Sequence, residues 1–432
     1  MSETEMSAPS AKENPYAVLR NRDFFRYLIG RFVASLGQQM LVVAIDWELY
    51  ERTHSALPLA FVGLSLMIPM ILCTLPAGHC ADTFSRKKII LISTFILALS
   101  SVGLTLLSAW QAPVAWIYVC LFIIGAARTF LWPASAAFVT SLVPREQLAR
   151  AVTFTSGTFQ ISSVVGPAAC GFVIILAHNT AWAVYALNAA AALICFGLVW
   201  QIKHIHKVKT PEPMTVSSLV EGFRFVFQNK IILGTLTLDL FAVLLGGAVT
   251  LLPIYAKDIF ERGPDGLSWL RDAMPIGAVI CAFVIAHREP LEKAGRTMLW
   301  CVAIFGAATI AMGCIIIPTA GWFWLACLLL AIAGAVDQIS VVVRQTLVQI
   351  LTPDEKRGRV SAVNSLFIGT SNELGGFRSG AVAWLFATPS MLGNSAATGA
   401  IISTVTGGIG TILVVLAVAW IWSDIRKYGK LA

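Results

Sequence analysis

Charge is what this sequence has least of. Only 12% of its 432 residues are Asp, Glu, Lys or Arg, against about 25% in soluble domains. With 57% apolar residues and a mean hydropathy of +0.78, a water-facing surface cannot be assembled, so most of the exterior must face lipid. The opening stretch, MSETEMSAPSAKENPY, is polar and holds no apolar core of a secretory leader, so it reads as a tail. The nine cysteines form no CxxC pair and lie in or beside apolar runs, where cysteine behaves as a small apolar residue. No HExxH occurs, and the close pair His204 and His206 sits in a basic loop, so no metal site is expected. A GxxxxGK[ST] loop is also missing, which argues against direct coupling to ATP. No nucleophile–base pair stands within an apolar run, so an enzyme is not expected either.

What the sequence has is apolar runs near the ~20 residues that a bilayer crossing requires. Six lie at 24–50, 57–80, 88–108, 113–141, 150–177 and 182–202, and six more at 231–256, 266–286, 297–317, 322–350, 359–388 and 398–422. The expected fold is an all-α membrane protein of twelve transmembrane helices. Its expected organisation is a cytoplasmic tail 1–23, a six-helix bundle 24–202, a cytoplasmic linker 203–230, a second bundle 231–422 and a tail 423–432. If the N-terminus is cytoplasmic, inside segments carry 23 of the 31 Lys and Arg residues, while external loops carry Arg52, Lys257, Arg262 and Arg271. The positive-inside rule then places both termini in the cytoplasm. The net charge of +8 is thus a topology signal, and nucleic acid is excluded as a partner. Within the linker, Leu219, Val220, Phe223 and Phe227 share a face of the stretch Ser217 to Phe227, predicting a short helix at the membrane surface.

The two bundles repeat one another at an offset of 208–209 residues. GAARTFLWPASAAFVTSLVPREQLARAV from Gly125 aligns with GAVDQISVVVRQTLVQILTPDEKRGRVSAV from Gly334, and Gly166 and Gly171 map onto Gly375 and Gly380. Such repeats generate two halves that rock about a central site. The alignment also sets Arg31 of the first span against Asp239 of the seventh, and Arg128 of the fourth against Asp337 of the tenth. A charge at mid-membrane costs at least ~2.5–3.5 kcal/mol, so these groups must face one another or a wet cavity. Arg344 and Arg378 join them as buried charge partners. Attraction across the two halves, closing a gate, is one expectation; static ion pairs that orient the bundle are the other.

Between the second and third spans stands GHCADTFSRKK, Gly78 to Lys88. It resembles the signature loop of the major facilitator superfamily, with Gly78, Asp82, Arg86 and Lys87 kept and Cys80, Thr83 and Ser85 departing from the usual pattern. The resemblance implies a cytoplasmic gate. Asp82 would meet the start of the eleventh span, around Arg359 to Ser361, where a carboxylate gains from the helix dipole. The stretches IGAARTFLWPASAAFVTSLVPREQLARAVTF, VVGPAACGFVI and RGRVSAVNSLFIGTSNELGGFRSG are similar to the bacterial branch of that superfamily containing enterobactin exporters. Gly157, Gly166, Pro167 and Gly171 of the fifth span resemble the glycine-proline motif of proton-coupled exporters, although such residues also serve ordinary tight packing.

The resemblance implies a secondary transporter without cofactor, energised by the proton gradient and exporting a siderophore-like or drug-like small molecule as a monomer in the bilayer. An importer of a small metabolite, or a membrane sensor with the same fold, is the alternative. In that fold the first, fourth, seventh and tenth spans line the cavity. Asp239 and Asp337 lead the proton-coupling candidates, followed by Asp46 and Glu373. Glu373 and Arg378 are five apart, so they do not face each other squarely. Gln38, Gln39, Trp47, Trp132, Phe241 and Asn364 are candidate cargo contacts, since aromatic walls with few polar groups suit bulky amphipathic ligands.

Overall fold

The computed structural model describes residues 17–203, 216–287, 293–353, 356–387, 395–427 and 429. Long helices follow one another: α1 (Arg22–Thr53), α2 (Ala56–Thr83), α3 (Arg86–Ala109), α4 (Ala115–Leu142), α5 (Leu148–Leu176) and α6 (Trp182–Trp200). After α7 (Val216–Gln228) the series resumes with α8 (Lys230–Gly246), a short α9 (Leu252–Ile254), α10 (Pro264–Ala286), α11 (Ala294–Gly313), α12 (Ala320–Leu351), α13 (Arg357–Leu385), α14 (Ser395–Ile421) and α15 (Ser423–Lys427). Among the described residues, eleven stretches are long and apolar enough to cross a membrane. The twelfth crossing is α13, whose 29 residues reach ~43 Å but include Arg359, Glu373 and Arg378. It packs among α2, α7, α8 and α14.

The repeat is visible in the local chemistry. Asn21 caps α1, its side chain accepting from the amides of Asp23 and Phe24. Its counterpart Asn229 caps α8 through the amides of Ile231 and Ile232, in each case satisfying free donors of the first turn. Gly125 brings α4 against Leu66 and Pro69 of α2, while Gly334 brings α12 against Met274 of α10. Gly166 lets α5 close on Gln39 of α1, and Gly375 lets α13 close on Val243 of α8. A side chain at any of these would push the helices apart, which is how small residues set close packing in lipid.

Helix α8 does not run through. It ends at Gly246, and the chain continues as a 3-10 turn, Ala248–Leu251, and a π turn, Tyr255–Ile259. The predicted linker helix exists as α7. Val226 is fully buried and Phe223 and Phe225 pack around it, while Val220 and Phe227 are exposed. Gly222 rides on the Arg359 carbonyl, and Glu221 accepts from Arg359 Nη1 at 2.6 Å. Large apolar side chains such as Leu72, Leu99, Phe172, Phe283 and Trp420 stand exposed along the outer helices, as lipid contact requires.

Candidate functional site

The halves meet along two seams that the repeat relates. At Gly171, α5 packs on Pro264 and Ser268 of α10; at Gly380, α13 packs on Ala56 and Ala60 of α2. Both contacts lie toward the end of the bundle opposite the termini, called here the far end. Farther along, Phe61 of α2 lies 6.3 Å from Phe377 of α13, and Met70 touches Gly369. At the terminal end the start of α13 belongs to α7 instead.

Charged and polar pairs cross between the halves at the far end. Asp46 of α1 pairs with Arg271 of α10, the Tyr50 hydroxyl donates to Asp258, and Glu51 pairs with Lys257. Within α1, Glu48 pairs with Arg52, whose guanidinium also donates to the Ala112 carbonyl at 3.0 Å. Tyr50 and Asp258 are 208 residues apart, the repeat offset itself. They meet because a residue close to the pseudo-twofold axis faces its own equivalent wherever the halves touch. That logic had set Arg31 opposite Asp239 and Arg128 opposite Asp337, but neither pair forms at its depth. Asp239 pairs with Arg344 inside the second half, and Asp337 interacts electrostatically with both. Arg31 lies near Tyr27 and Cys195 of its own half. Arg128, exposed on α4, is the cation that acts on Glu373 of α13 across the halves. Arg378 takes backbone and hydroxyl oxygens as partners: the Leu245 carbonyl at 2.9 Å, the Ser403 carbonyl at 3.3 Å and Thr406 Oγ1 at 3.4 Å.

Immediately inside the far-end pairs is a cavity of about 210 Å³ between the halves. Gln39, Val42 and Val43 of α1 and Ser163 and Pro167 of α5 wall one side; Val249, Leu252, Leu270, Arg271, Met274 and Pro275 wall the other. Among the cargo candidates, Gln39 lines this cavity. Gln38 Oε1 and Asn364 Oδ1 are buried acceptors without a partner, Trp47 is 4% exposed with its indole nitrogen unpartnered, and Trp132 and Phe241 are exposed at 66% and 41%. In the motif of the fifth span, Gly157 meets nothing within 4 Å, Gly166 and Gly171 make close contacts, and Pro167 faces the cavity.

In the signature loop, Gly78 lies within α2, Arg86 donates to the Ala137 carbonyl at 3.1 Å, and Lys87 donates to the Trp200 and Ile202 carbonyls at 2.8 and 2.7 Å. Lys87 thereby satisfies the free carbonyls ending α6, where a cation is favoured. The expected latch from Asp82 involves a side chain outside the described ones. His204 and His206 also lie outside the described residues.

Sequence reasoning missed Arg271 by counting it with the external loops, and it did not single out Asp272 at all. The signal was present in Gly263–Pro264. Proline favours the first turn of a helix, so Arg271 lies ~10 Å into α10.

The model of the Major Facilitator Superfamily matches residues 27–377. The enterobactin exporter EntS of Shigella flexneri is 26% identical over 356 residues, covering 80% of this chain and 82% of that protein. Macrolide efflux protein A of Streptococcus pyogenes is 26% identical over 313 residues, 69% of this chain and 74% of that one. Among solved structures, the POT family transporter PepTSo has a TM-score of 0.72 at 13% identity, covering 94% of this chain and 99% of that one. A bacterial homolog of the human lysosomal transporter Spinster, crystallised inward-facing and occupied, has a TM-score of 0.71 at 12% identity, with 96% and 98% covered. These two likenesses establish the fold.

Proposed function

Because the chain belongs to the major facilitator superfamily, and is therefore a secondary transporter rather than an enzyme, we propose that it exports an amphipathic small molecule, siderophore-like or drug-like, in exchange for protons. The observation that carries this reading is the cavity between the halves, apolar on most sides, with Gln39, Ser163 and Arg271 as its polar groups and a bridge of ion pairs closing it at the far end. Such a lining suits a ligand with a large apolar body and a few acceptor oxygens. The relatives include an enterobactin exporter and a macrolide efflux protein.

With both termini in the cytoplasm of a bacterial inner membrane, the far end is external and the molecule faces inward. Export then requires the far-end pairs to separate as the terminal ends of the halves approach. Asp239 and Asp337 share Arg344, so the cluster sets two acids against one cation. A proton entering it releases the guanidinium from one acid, which suits a group that titrates as the halves rock. The latch of Asp82 on the start of α13 would hold the outward-facing state.

The test is uptake into inverted membrane vesicles with an imposed proton gradient, using catecholates, macrolides and cationic dyes as probes. Gradient-dependent accumulation that an uncoupler abolishes, and that is lost in Asp337→Asn, is the expected result. Accumulation only in right-side-out vesicles would overturn export in favour of import. Undiminished pH dependence in both Asp239→Asn and Asp337→Asn would remove those acids as proton carriers.

A further inference from the structure

Asp272 lies within the membrane span of α10 at 4% exposure, and its Oδ1 has no hydrogen-bond partner. Ser268, one turn earlier and on the same helix face, sits against Gly171 of α5. Cys170 of α5 interacts electrostatically with Asp272. The carboxyl therefore points into the α5–α10 seam, one of the two places where the halves join.

The charged groups around it are engaged elsewhere. Arg271, its neighbour on α10, is held by Asp46 of α1. On α1, Glu48 is paired with Arg52, Tyr50 with Asp258 and Glu51 with Lys257; farther along the segment after α8, Glu261 is exposed and the Arg262 guanidinium lies 4.1 Å from the centre of the Phe323 ring. Helix α5 contributes the Cys170 thiol. Helix α12 meets α10 at Ala331 and Gly334, and its acid Asp337 is turned to Asp239 and Arg344. Among the described residues, no Lys, Arg or His lies within ion-pair distance of Asp272.

We infer that Asp272 is a proton-binding site built into the seam, carrying a proton while the far end is closed and releasing it when α5 and α10 separate. Sealing an ionised carboxylate without a partner inside the membrane is strongly unfavourable, whereas the neutral acid is tolerated. Opening the seam brings water to the group and lets it ionise. Closure therefore takes up one proton, and by linkage the closed-to-open ratio falls up to about tenfold for each unit that pH rises. This site is separate from the Asp239–Asp337 cluster, though it rests on the reading that the halves alternate in access.

The experiment is hydrogen exchange by mass spectrometry on the full chain in lipid nanodiscs, with no cargo present. Peptides covering residues 160–176 and 264–276 report the seam, and rates are corrected for intrinsic exchange. In the unaltered protein, seam protection is expected to fall between about pH 5 and pH 8. Asp272→Asn is expected to stay protected at both, and Asp272→Glu to keep the pH dependence. An Asp272→Asn seam that opens with pH like the unaltered protein, or an unaltered seam indifferent to pH, overturns the proposal. Exchange across α3 and α6 reports folding. If the amide variant does not fold, Asp272→Ser, equally unable to ionise, is judged by the same outcomes. Since no cargo is involved, a failed transport assay and a failed seam assay are distinguishable.

Discussion

Asp46→Asn removes one charge from the pair that closes the cavity. The side chains of Arg271 and Asp46 are 13% and 6% exposed, so water and salt screen them little. Leaving one charge of a buried pair uncompensated costs about 3–5 kcal/mol, and that cost falls on the closed state because opening hydrates Arg271. At about 1.4 kcal/mol per tenfold change, the closed-to-open ratio should drop by at least about 100-fold. Conformers of a carrier differ by only a few kcal/mol, so the variant should rest open at the far end. The assay is a spin-label distance between Gln111→Cys and Ile317→Cys, on far-end loops of opposite halves, with the nine native cysteines replaced. Asp46→Asn should shift the distance longer, and the exchange Asp46→Arg with Arg271→Asp should bring much of it back. An unchanged distribution in Asp46→Asn, or an exchanged pair that behaves no better than the single variants, would refute the reasoning.

Arg344→Gln should lower stability in detergent by about 3–5 kcal/mol, because Asp239 and Asp337 are left buried without their cation; adding Asp239→Asn should cost less than the two single changes summed, as read from denaturation midpoints. Gly171→Leu and Gly380→Leu should each wedge a seam and slow transport by preventing far-end closure, whereas Gly157→Ala, which meets nothing within 4 Å, should leave the rate unchanged. Lys87→Met should cost about 0.3–1 kcal/mol by uncapping α6, visible as faster amide exchange over residues 196–202 with the rest of the chain unaffected.

Much of the molecule follows from its sequence, because lipid imposes a coarse and strict rule. A crossing segment must be apolar and must satisfy its backbone internally. Composition, run length and the 208–209-residue repeat therefore fix the helix series and its two halves, and the caps at Asn21 and Asn229 follow from local chemistry. Gly166 and Gly171, where the sequence allows ordinary tight packing, make close contacts, as do their repeat counterparts Gly375 and Gly380, whereas Gly157 of the same motif meets nothing within 4 Å. The repeat also indicates that equivalent residues can face each other, but it carries no information about the depth at which the halves touch. Only tertiary structure decides that, and it places the meeting at Tyr50 and Asp258 while Asp239 turns to Arg344. The pairs closing the cavity join residues 206 to 225 positions apart. No local periodicity encodes such a separation, so the position of Arg271, the seclusion of Asp272 and the broken course of α8 emerge only once the helices are packed.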